Sequence, residues 1–244
     1  MEGTFVQNLL TLFSAALGAL LATSLGTSHR QLCAMISFAA GTLFGTTFFH
    51  ILPDAWRILP LPTILIALAS GYGLFFVISR YVFHVCPACA ASHFEEQPPS
   101  KLRNIFILLA IALSIHSTMD GIAVVLAGTL PNNTGHSIFF TILIHKLPEG
   151  LALCALLLRA GYEKKRALAG TLLMESSTLL GWVIGMCLLK GFAASHWLDL
   201  LLVHAGGGFL YLALHAAISE SEQHSPRFVF LFFLTGVILM GWTH

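Results

Sequence analysis

Charged side chains are scarce in this sequence, and their scarcity limits the class of protein that it can encode. Only 9% of the 244 residues are charged, whereas about 25% is usual in a soluble globular domain. Hydrophobic residues make up 57% of the chain, and the mean hydropathy is +0.84. So little polar surface cannot coat a soluble globule of this length, so we expect lipid to cover most of the molecule.

Three further absences argue against a nucleic-acid partner, one class of metalloprotease and a cleaved signal peptide. The formal net charge is only +1 with neutral histidines, and no basic stripe is present that could follow a phosphate backbone, which excludes nucleic acid as a partner. No H-E-x-x-H sequence occurs, so a metalloprotease of that type is excluded. The residues before the first apolar run lack the basic residues of a signal peptide, and we therefore expect that run to remain in the mature protein.

Long apolar runs are the most prominent feature that the sequence does have. A helix needs about 17–25 residues to cross the hydrocarbon core of a bilayer, and the apolar residues here are continuous rather than alternating, which favours helices over barrel strands. The sequence therefore predicts an all-α membrane protein, with about eight transmembrane helices in one bundle and a single domain over residues 1–244. The predicted spans are 5–28, 31–52, 59–83, 104–130, 137–159, 166–189, 197–218 and 226–243.

The distribution of cations between the spans predicts the orientation. If the N-terminus lies outside, the inward connections carry nine cations and the outward ones carry only Arg57 and Lys190, as the positive-inside rule requires. Both termini are then outside, and a connection at about 84–103 is cytoplasmic. We expect a multi-pass protein of the plasma membrane or the bacterial inner membrane. The inward cations are Arg30, Arg80, Lys101, Arg103, Arg159, Lys164, Lys165, Arg166 and Arg227.

Two pairs of ionisable residues lie inside the predicted spans, where each charge costs about 2.5–3.5 kcal/mol on insertion scales. His116 and Asp120 are four residues apart in the fourth span, and His145 and Glu149 are four apart in the fifth. Each pair therefore shares one helical face. Two imidazoles and two carboxylates suit zinc and, less selectively, iron(II) or manganese(II). The spacing predicts a divalent-metal site between helices 4 and 5.

Neighbouring residues favour a transport pathway over a closed structural site. Pro148 lies inside the fifth span, where we expect it to kink the helix and release a carbonyl beside His145. Gly121 and Gly150 each follow a carboxylate. We expect them to let helices 4 and 5 approach closely enough to share one ion, with ordinary packing as the alternative.

The two motifs resemble the paired signatures of the ZIP family of metal transporters. They read H-S-T-M-D-G-I-A over 116–123 and H-K-L-P-E-G-L-A over 145–152, and segments 50–55 and 205–214 resemble that family's second and seventh helices. The resemblance implies an importer that moves zinc, and less selectively iron, manganese or cadmium ions, into the cytoplasm by alternating access, often as a homodimer. It implies His116, Asp120, His145 and Glu149 as the primary site, with the metal as substrate and no organic cofactor.

The sequence departs from the family members that hold two adjacent metals. Their second ion is bound at the positions of Ser117, Lys146 and Glu175, and a protonated lysine has no lone pair to offer a metal. Lys146 is about 100° round the helix from His145 and three residues before Glu149. Its ammonium can therefore pair with Glu149 or Glu175, and we predict one bound metal. Glu175 is either a group on the transport path or only the counter-ion of Lys146.

Two further groups of residues are candidate metal ligands of lower rank. His50 and Asp54, near the outer end of the second span, are expected to line the pathway or its entrance, with an interfacial role as the alternative. The connection between the third and fourth spans contains H-x-C-x-x-C-x-x-x-H. Such a group binds zinc where thiols stay reduced, although a flexible linker with incidental cysteines is the alternative. These loop residues are His84, Cys86, Cys89 and His93.

Other classes of membrane protein also place histidines in helices. A seven-span zinc hydrolase uses a late H-x-x-x-H pair, whereas His204 and His215 are eleven residues apart; we keep this enzyme as the alternative function. A bis-histidine haem protein does not need acids four residues after its histidines, so Asp120 and Glu149 favour a metal cation. Spans 1–3 and 6–8 are candidate inverted repeats around spans 4 and 5, although no repeat of residues is evident.

Overall fold

The computed structural model describes residues 2–24, 29–83, 99–130, 132–192 and 197–242. Every regular element within these ranges is helical. The α-helices are α1 Glu2–Ser24, α2 His29–Thr46, α3 Leu52–Ile58, α4 Leu61–Val77, α5 Pro99–Ala127, α6 Asn132–Arg159, α7 Lys164–Glu175, α8 Ser177–Phe192, α9 Trp197–Gln223 and α10 Pro226–Trp242.

These helices form eight helical rods, because some follow one another directly. A π-helical turn, Thr47–Ile51, joins α2 to α3, another, Ile78–Phe83, extends α4, and α8 follows α7 after Ser176 alone. In chain order the rods are α1, α2 with α3, α4, α5, α6, α7 with α8, α9, and α10. Six of them are long and apolar enough to cross a membrane, and Leu113–Ala127 and Pro226–Trp242 are shorter apolar helices. The predicted all-α membrane fold is confirmed.

The second rod is longer than predicted. Its expected end at residue 52 lies just before Pro53, but the rod continues to Ile58. Proline has no N–H and its ring collides with the carbonyl four residues earlier in a regular α-helix. The wider π-helical turn Thr47–Ile51 immediately precedes it, so Pro53 occupies the first turn of α3, where a missing donor costs little.

A tight turn between α6 and α7 brings the seventh helix back beside the sixth. Gly161 has a φ of +88°, and the N–H of Tyr162 donates to the carbonyl of Leu157 over 3.1 Å. This left-handed glycine conformation lets N–H groups after the helix donate hydrogen bonds to the last carbonyls of α6, and it reverses the direction of the chain. As a result Glu175, at the end of α7, lies against the middle of the bundle.

The distribution of polar residues is the reverse of that in a soluble protein. Large apolar side chains cover the outside: Ile66 is 70% exposed and Leu173 is 76% exposed. Lys146, Glu175 and Asp120 are instead buried in the interior. Lipid is the natural solvent for such a surface, and charges enclosed by such a surface must neutralise one another or line a site.

Glycine contacts set the closest helix pairs. A Cβ added at Gly121 would collide with the carbonyl of Thr178 on α8, and one at Gly150 would collide with the carbonyl of Ala15 on α1. Our expectation that these two glycines bring α5 and α6 together is therefore wrong. Each lets its own helix approach a different neighbour, so that α5 packs on α8 and α6 packs on α1.

The same kind of contact joins the other rods. The four closest pairs are α1 with α6, α5 with α8, α2 with α10, and α4 with α9. In each pair, both helices contribute a glycine whose added Cβ would collide with the backbone of the other helix. These glycines are Gly18 and Gly150, Gly121 and Gly181, Gly41 and Gly236, and Gly71 and Gly207. In chain order, these pairs join rods 1 and 5, 4 and 6, 2 and 8, and 3 and 7. If rods 1, 2 and 3 are exchanged for rods 6, 7 and 8, and rod 4 for rod 5, the same four pairs result. This is the pairing expected of a repeat.

Candidate metal centre

Helices α5 and α6 place four side chains at one point in the interior. His116 and Asp120 come from α5, and His145 and Glu149 come from α6. Each offers one ligand atom, and these four atoms all lie within 4.8 Å of one another. The four residues that the spacing singled out are thus brought together.

Asp120 lies at the centre of the group. Its Oδ2 atom is 3.4 Å from Nε2 of His116 and 3.3 Å from Nε2 of His145. Glu149 is slightly further out, with its Oε2 atom 4.0 Å from Nε2 of His116. One carboxylate oxygen therefore faces both imidazoles, while the second carboxylate approaches from the side.

Lys146 is fully buried beside this group and contacts three carboxylates. Its Nζ atom is 2.9 Å from Oε2 of Glu149, 2.9 Å from Oε2 of Glu175 and 3.1 Å from Oδ2 of Asp120. It also donates a hydrogen bond to the hydroxyl of Ser117, which in turn donates to Oε2 of Glu175 over 3.1 Å. The structure thus gathers Ser117, Lys146 and Glu175 next to the four candidate ligands, with the ammonium at their centre.

With its carboxylates ionised, this buried group carries more negative than positive charge. Three ionised carboxylates and one ammonium leave two negative charges when both imidazoles are neutral. One oxygen on each of Asp120, Glu149 and Glu175 is buried and accepts no hydrogen bond within the described part of the chain. Buried charge and unsatisfied oxygens both cost free energy. One divalent cation would balance the charge and give Asp120 and Glu149, the two carboxylates of the four-residue group, a partner.

The donor set and its spacing fit such a cation. Imidazole nitrogens and carboxylate oxygens bind zinc at about 2.0–2.2 Å, so in a tetrahedron these atoms lie about 3.3 Å apart. The widest separation among the four atoms is at most 4.8 Å, and a closure of about 1.5 Å or less therefore completes the shell. Side-chain rotation supplies movements of that size.

Sequence reasoning missed the residues that orient the histidines. Nδ1 of His145 donates to the carbonyl of Thr141 over 2.9 Å, which fixes the ring so that Nε2 faces Oδ2 of Asp120 and is the nitrogen available to a metal. The rings of Phe75 and Phe209 stand edge to face against His116 and His145, with centroids 5.9 and 6.4 Å away. Thr141 is one helical turn before His145, so its position carried a signal, but the aromatic contacts join distant parts of the chain.

His50 and Asp54 lie outside the four-residue group. Nε2 of His50 donates to the carbonyl of Met240 over 3.0 Å, which ties the π-helical turn Thr47–Ile51 to α10. Asp54 accepts a hydrogen bond from the hydroxyl of Thr134 over 2.5 Å and lies 3.7 Å from Arg57. Asp54 is thus near the start of α6, well over two helical turns from His145.

The histidine and cysteine loop lies outside the described residues. His84, Cys86, Cys89 and His93 all fall between residues 83 and 99. Helix α5 already begins at Pro99, so the connection between the third and fourth rods is shorter than the expected 84–103.

Comparison with known proteins identifies the family. The family model described as ZIP zinc transporter matches residues 87–243, well over half of the chain and including both His/carboxylate motifs. The chain belongs to the ZIP family of zinc transporters. It is therefore a multi-pass membrane transporter of divalent metal and not an enzyme, and the hydrolase alternative is wrong.

Several relatives cover much of the chain. Zinc transporter ZIP13 of Danio rerio is 26% identical over 250 residues, which span 81% of this chain and 71% of the relative. An uncharacterised protein of Methanocaldococcus jannaschii is 27% identical over 206 residues, spanning 84% and 81%. Zinc transporter ZIP4 of Rattus norvegicus is 31% identical over 147 residues, but these are 59% of this chain and only 22% of the relative.

Proposed function

We propose that this protein imports zinc into the cytoplasm through one metal site made by His116, Asp120, His145 and Glu149. The observation that carries the proposal is the convergence of their four ligand atoms within 4.8 Å in the interior of the bundle. Such a donor set suits zinc better than magnesium or calcium, which prefer oxygen alone. Iron(II), manganese(II) and cadmium are the expected secondary substrates.

A single ion per transport site follows from the charge. The two negative charges left by Asp120, Glu149, Glu175 and Lys146 are balanced by one divalent cation. A second cation would leave two positive charges in a lipid-enclosed interior, at a cost of several kcal/mol for each unpaired ion. Lys146 therefore takes the place of a second metal, with Ser117 and Glu175 holding its ammonium.

Alternating access requires helices that bend near the site. The break at Ser176 follows directly after Glu175, and the π-helical turn Thr47–Ile51 contains His50. Interrupted helices near the middle of a bundle are typical of transporters that rock around a fixed binding site. We propose eight crossings with both termini outside, so that the cations of the inward connections face the cytoplasm.

Uptake by the purified protein in liposomes tests this function. Vesicles are given zinc, iron(II), manganese(II), cadmium or magnesium on the outside, and accumulated metal is measured over time. We expect zinc to accumulate fastest, magnesium not to accumulate, and both His145→Ala and Glu149→Ala to lose the flux. His215→Asn is the matched control, because His215 is a partly buried histidine of α9 outside the four-residue group.

Two results would contradict the proposal. Equal flux in the His145→Ala variant and the parent would show that the ion takes another route. Tight binding of zinc that depends on the four residues, without any flux under a zinc gradient, would show that the site senses or stores metal. Folding of each variant is checked by its thermal unfolding profile, so that loss of flux is not confused with loss of structure.

A further inference from the structure

A second group of potential metal ligands lies where α2 begins and α9 ends. The thiol of Cys33, a carboxylate oxygen of Glu220 and a ring nitrogen of His224 all lie within 4.8 Å of one another. Cys33 is in the first turns of α2, Glu220 is in the last turn of α9, and His224 follows that helix directly. No residue is shared with the group on α5 and α6.

Burial and bonding make Glu220 unusual. Its side chain and that of Cys33 are fully buried. Neither oxygen of the Glu220 carboxylate accepts a hydrogen bond from an N–H or O–H group of the residues that the structure describes, and the carboxylate faces the thiol of Cys33, which is only a weak donor. Its contact with His224 is a 3.4 Å approach of Oε2 to Nδ1. A buried ionised carboxylate with so weak a donor beside it is costly, and a bound cation would remove that cost.

The local geometry points all three donors at one place. The N–H of His224 donates to the carbonyl of Glu220 over 2.9 Å, so the helical turn continues and the two side chains share one face. Helix α2 packs against α9, and this packing brings Cys33 to that face. The spacing of Glu220 and His224 is the same four residues that separate His116 from Asp120.

The donor types define the metal that such a group prefers. A thiolate, an imidazole and a carboxylate together suit zinc or cadmium, whereas calcium and magnesium avoid sulfur. Three protein ligands leave a fourth position, and the side chain of His224 is 18% exposed, so water can reach the group. Open sites of this kind exchange their metal more readily than closed sites with four protein ligands.

We propose that Cys33, Glu220 and His224 form a second divalent-metal site, which binds zinc or cadmium through a thiolate at the end of the bundle where α2 begins. In the orientation given above this end faces the cytoplasm, so the site is placed to receive ions that leave the central group. Binding at this site does not depend on that orientation or on transport.

Cobalt(II) gives a direct test, because only a thiolate ligand produces a sulfur-to-cobalt charge-transfer band in the near ultraviolet. The central group has no cysteine, so it adds no such band. The protein is purified as the full chain with Cys86→Ser and Cys89→Ser, which removes the loop thiols from the signal. We expect the band to reach the intensity of one thiolate-bound cobalt per chain, while cobalt taken up by the central group adds nothing to it, and we expect cadmium or zinc to displace it.

Three substitutions in this background locate the ligands. Cys33→Ser should abolish the band, and Cys154→Ser should leave it unchanged, because Cys154 is an equally buried cysteine outside the group. His224→Gln alters a partly exposed residue beyond the end of α9 and should weaken cobalt binding by about tenfold or more. It tests the site even if Cys33→Ser perturbs folding.

The outcomes separate this site from the transport proposal. A band that persists in Cys33→Ser, or that never forms in the parent, overturns the second site and leaves only a packed polar cluster. X-ray absorption of the zinc-loaded parent provides a second readout, since a zinc–sulfur distance of about 2.3 Å is expected and its absence also overturns the proposal. Loss of uptake with an intact band counts only against the transport function.

Discussion

The ammonium of Lys146 and the imidazole of His145 approach the same oxygen, Oδ2 of Asp120, from 3.1 and 3.3 Å. A metal bound at Nε2 of His145 must therefore share this carboxylate with a fixed positive charge. Such sharing holds the carboxylate in place before the metal arrives, but it also reduces the charge that the carboxylate offers. A transported ion has to be released as well as bound, and Lys146 is placed to weaken its binding.

The charge of Lys146 makes the number of bound metals open to test. Lys146→Glu changes the buried group from two negative charges to four, the charge that two divalent cations balance. It also places a carboxylate beside Ser117 and Glu175, where the ammonium now lies. We expect bound zinc at this site to rise from one to two per chain, measured by elemental analysis in a background of Cys33→Ser, Cys86→Ser and Cys89→Ser.

A neutral substitution controls for the loss of the ammonium alone. Lys146→Met keeps much of the side-chain volume but adds no ligand, so zinc should stay at one per chain and bind more tightly than in the parent. Two zinc ions in the parent, or one in Lys146→Glu despite a folded protein, would contradict the role that we assign to Lys146.

Acidic pH is expected to weaken zinc binding at the central group. Imidazoles and carboxylates hold metal only when deprotonated. At a pH where the ligands carry protons, zinc must displace them, and each displaced proton lowers the apparent affinity for zinc by about tenfold for every pH unit of acidification. Isothermal titration in buffers with different ionisation enthalpies counts the protons released. Affinity that is constant from neutral to mildly acidic pH would mean that the ligands are already free of protons, against this expectation.

The sequence predicted the central group well because each half is local. Four-residue spacing places His116 with Asp120 and His145 with Glu149 on one face each, whatever the rest of the fold does. The rarity of charge in lipid then requires the two faces to meet. Even the pairing of Lys146 with Glu149 and Glu175 followed from spacing and burial of charge, and both contacts are present.

Contacts between distant segments could not be predicted in the same way. Cys33 is far from Glu220 in the chain, and nothing in either neighbourhood indicates the other. Gly121 and Gly150 were assigned to the wrong interface, because a helix has several faces and a lone glycine does not indicate which of them a neighbour approaches. The end of the second rod was also misplaced, because the π-helical turn before Pro53 has no simple sequence signature.

Close backbone contact at Gly121 predicts a strong effect from one methyl group. Gly121→Ala would place a Cβ against the carbonyl of Thr178, so α5 and α8 must separate. We expect a loss of about 1–3 kcal/mol of stability, together with weaker zinc binding because Asp120 moves with α5. Thermal unfolding and zinc titration of the same preparations measure the two effects.

Gly73 offers the matched control, since a Cβ there meets no atom within 4 Å. Gly73→Ala should leave zinc binding unchanged and stabilise α4 slightly, because alanine is the better helix former by up to about 1 kcal/mol. If the Gly121→Ala variant unfolds at the same temperature as Gly73→Ala, close backbone contact between α5 and α8 does not contribute to the stability of the fold.

Asp54 provides the last test, because in the proposed orientation it lies near the outer end of the second rod without belonging to the central group. Its carboxylate accepts a hydrogen bond from Thr134 and lies 3.7 Å from Arg57. A metal ion arriving from outside therefore meets an attractive carboxylate beside a repulsive guanidinium group. Asp54→Asn should raise the KM for zinc uptake several-fold and leave the maximal rate nearly unchanged, with a larger effect at low ionic strength. Arg57→Gln should lower the KM, because it removes the competing positive charge. If Asp54→Asn instead lowers the maximal rate at saturating zinc, Asp54 acts in a step after capture, and its place at the entrance of the pathway is wrong.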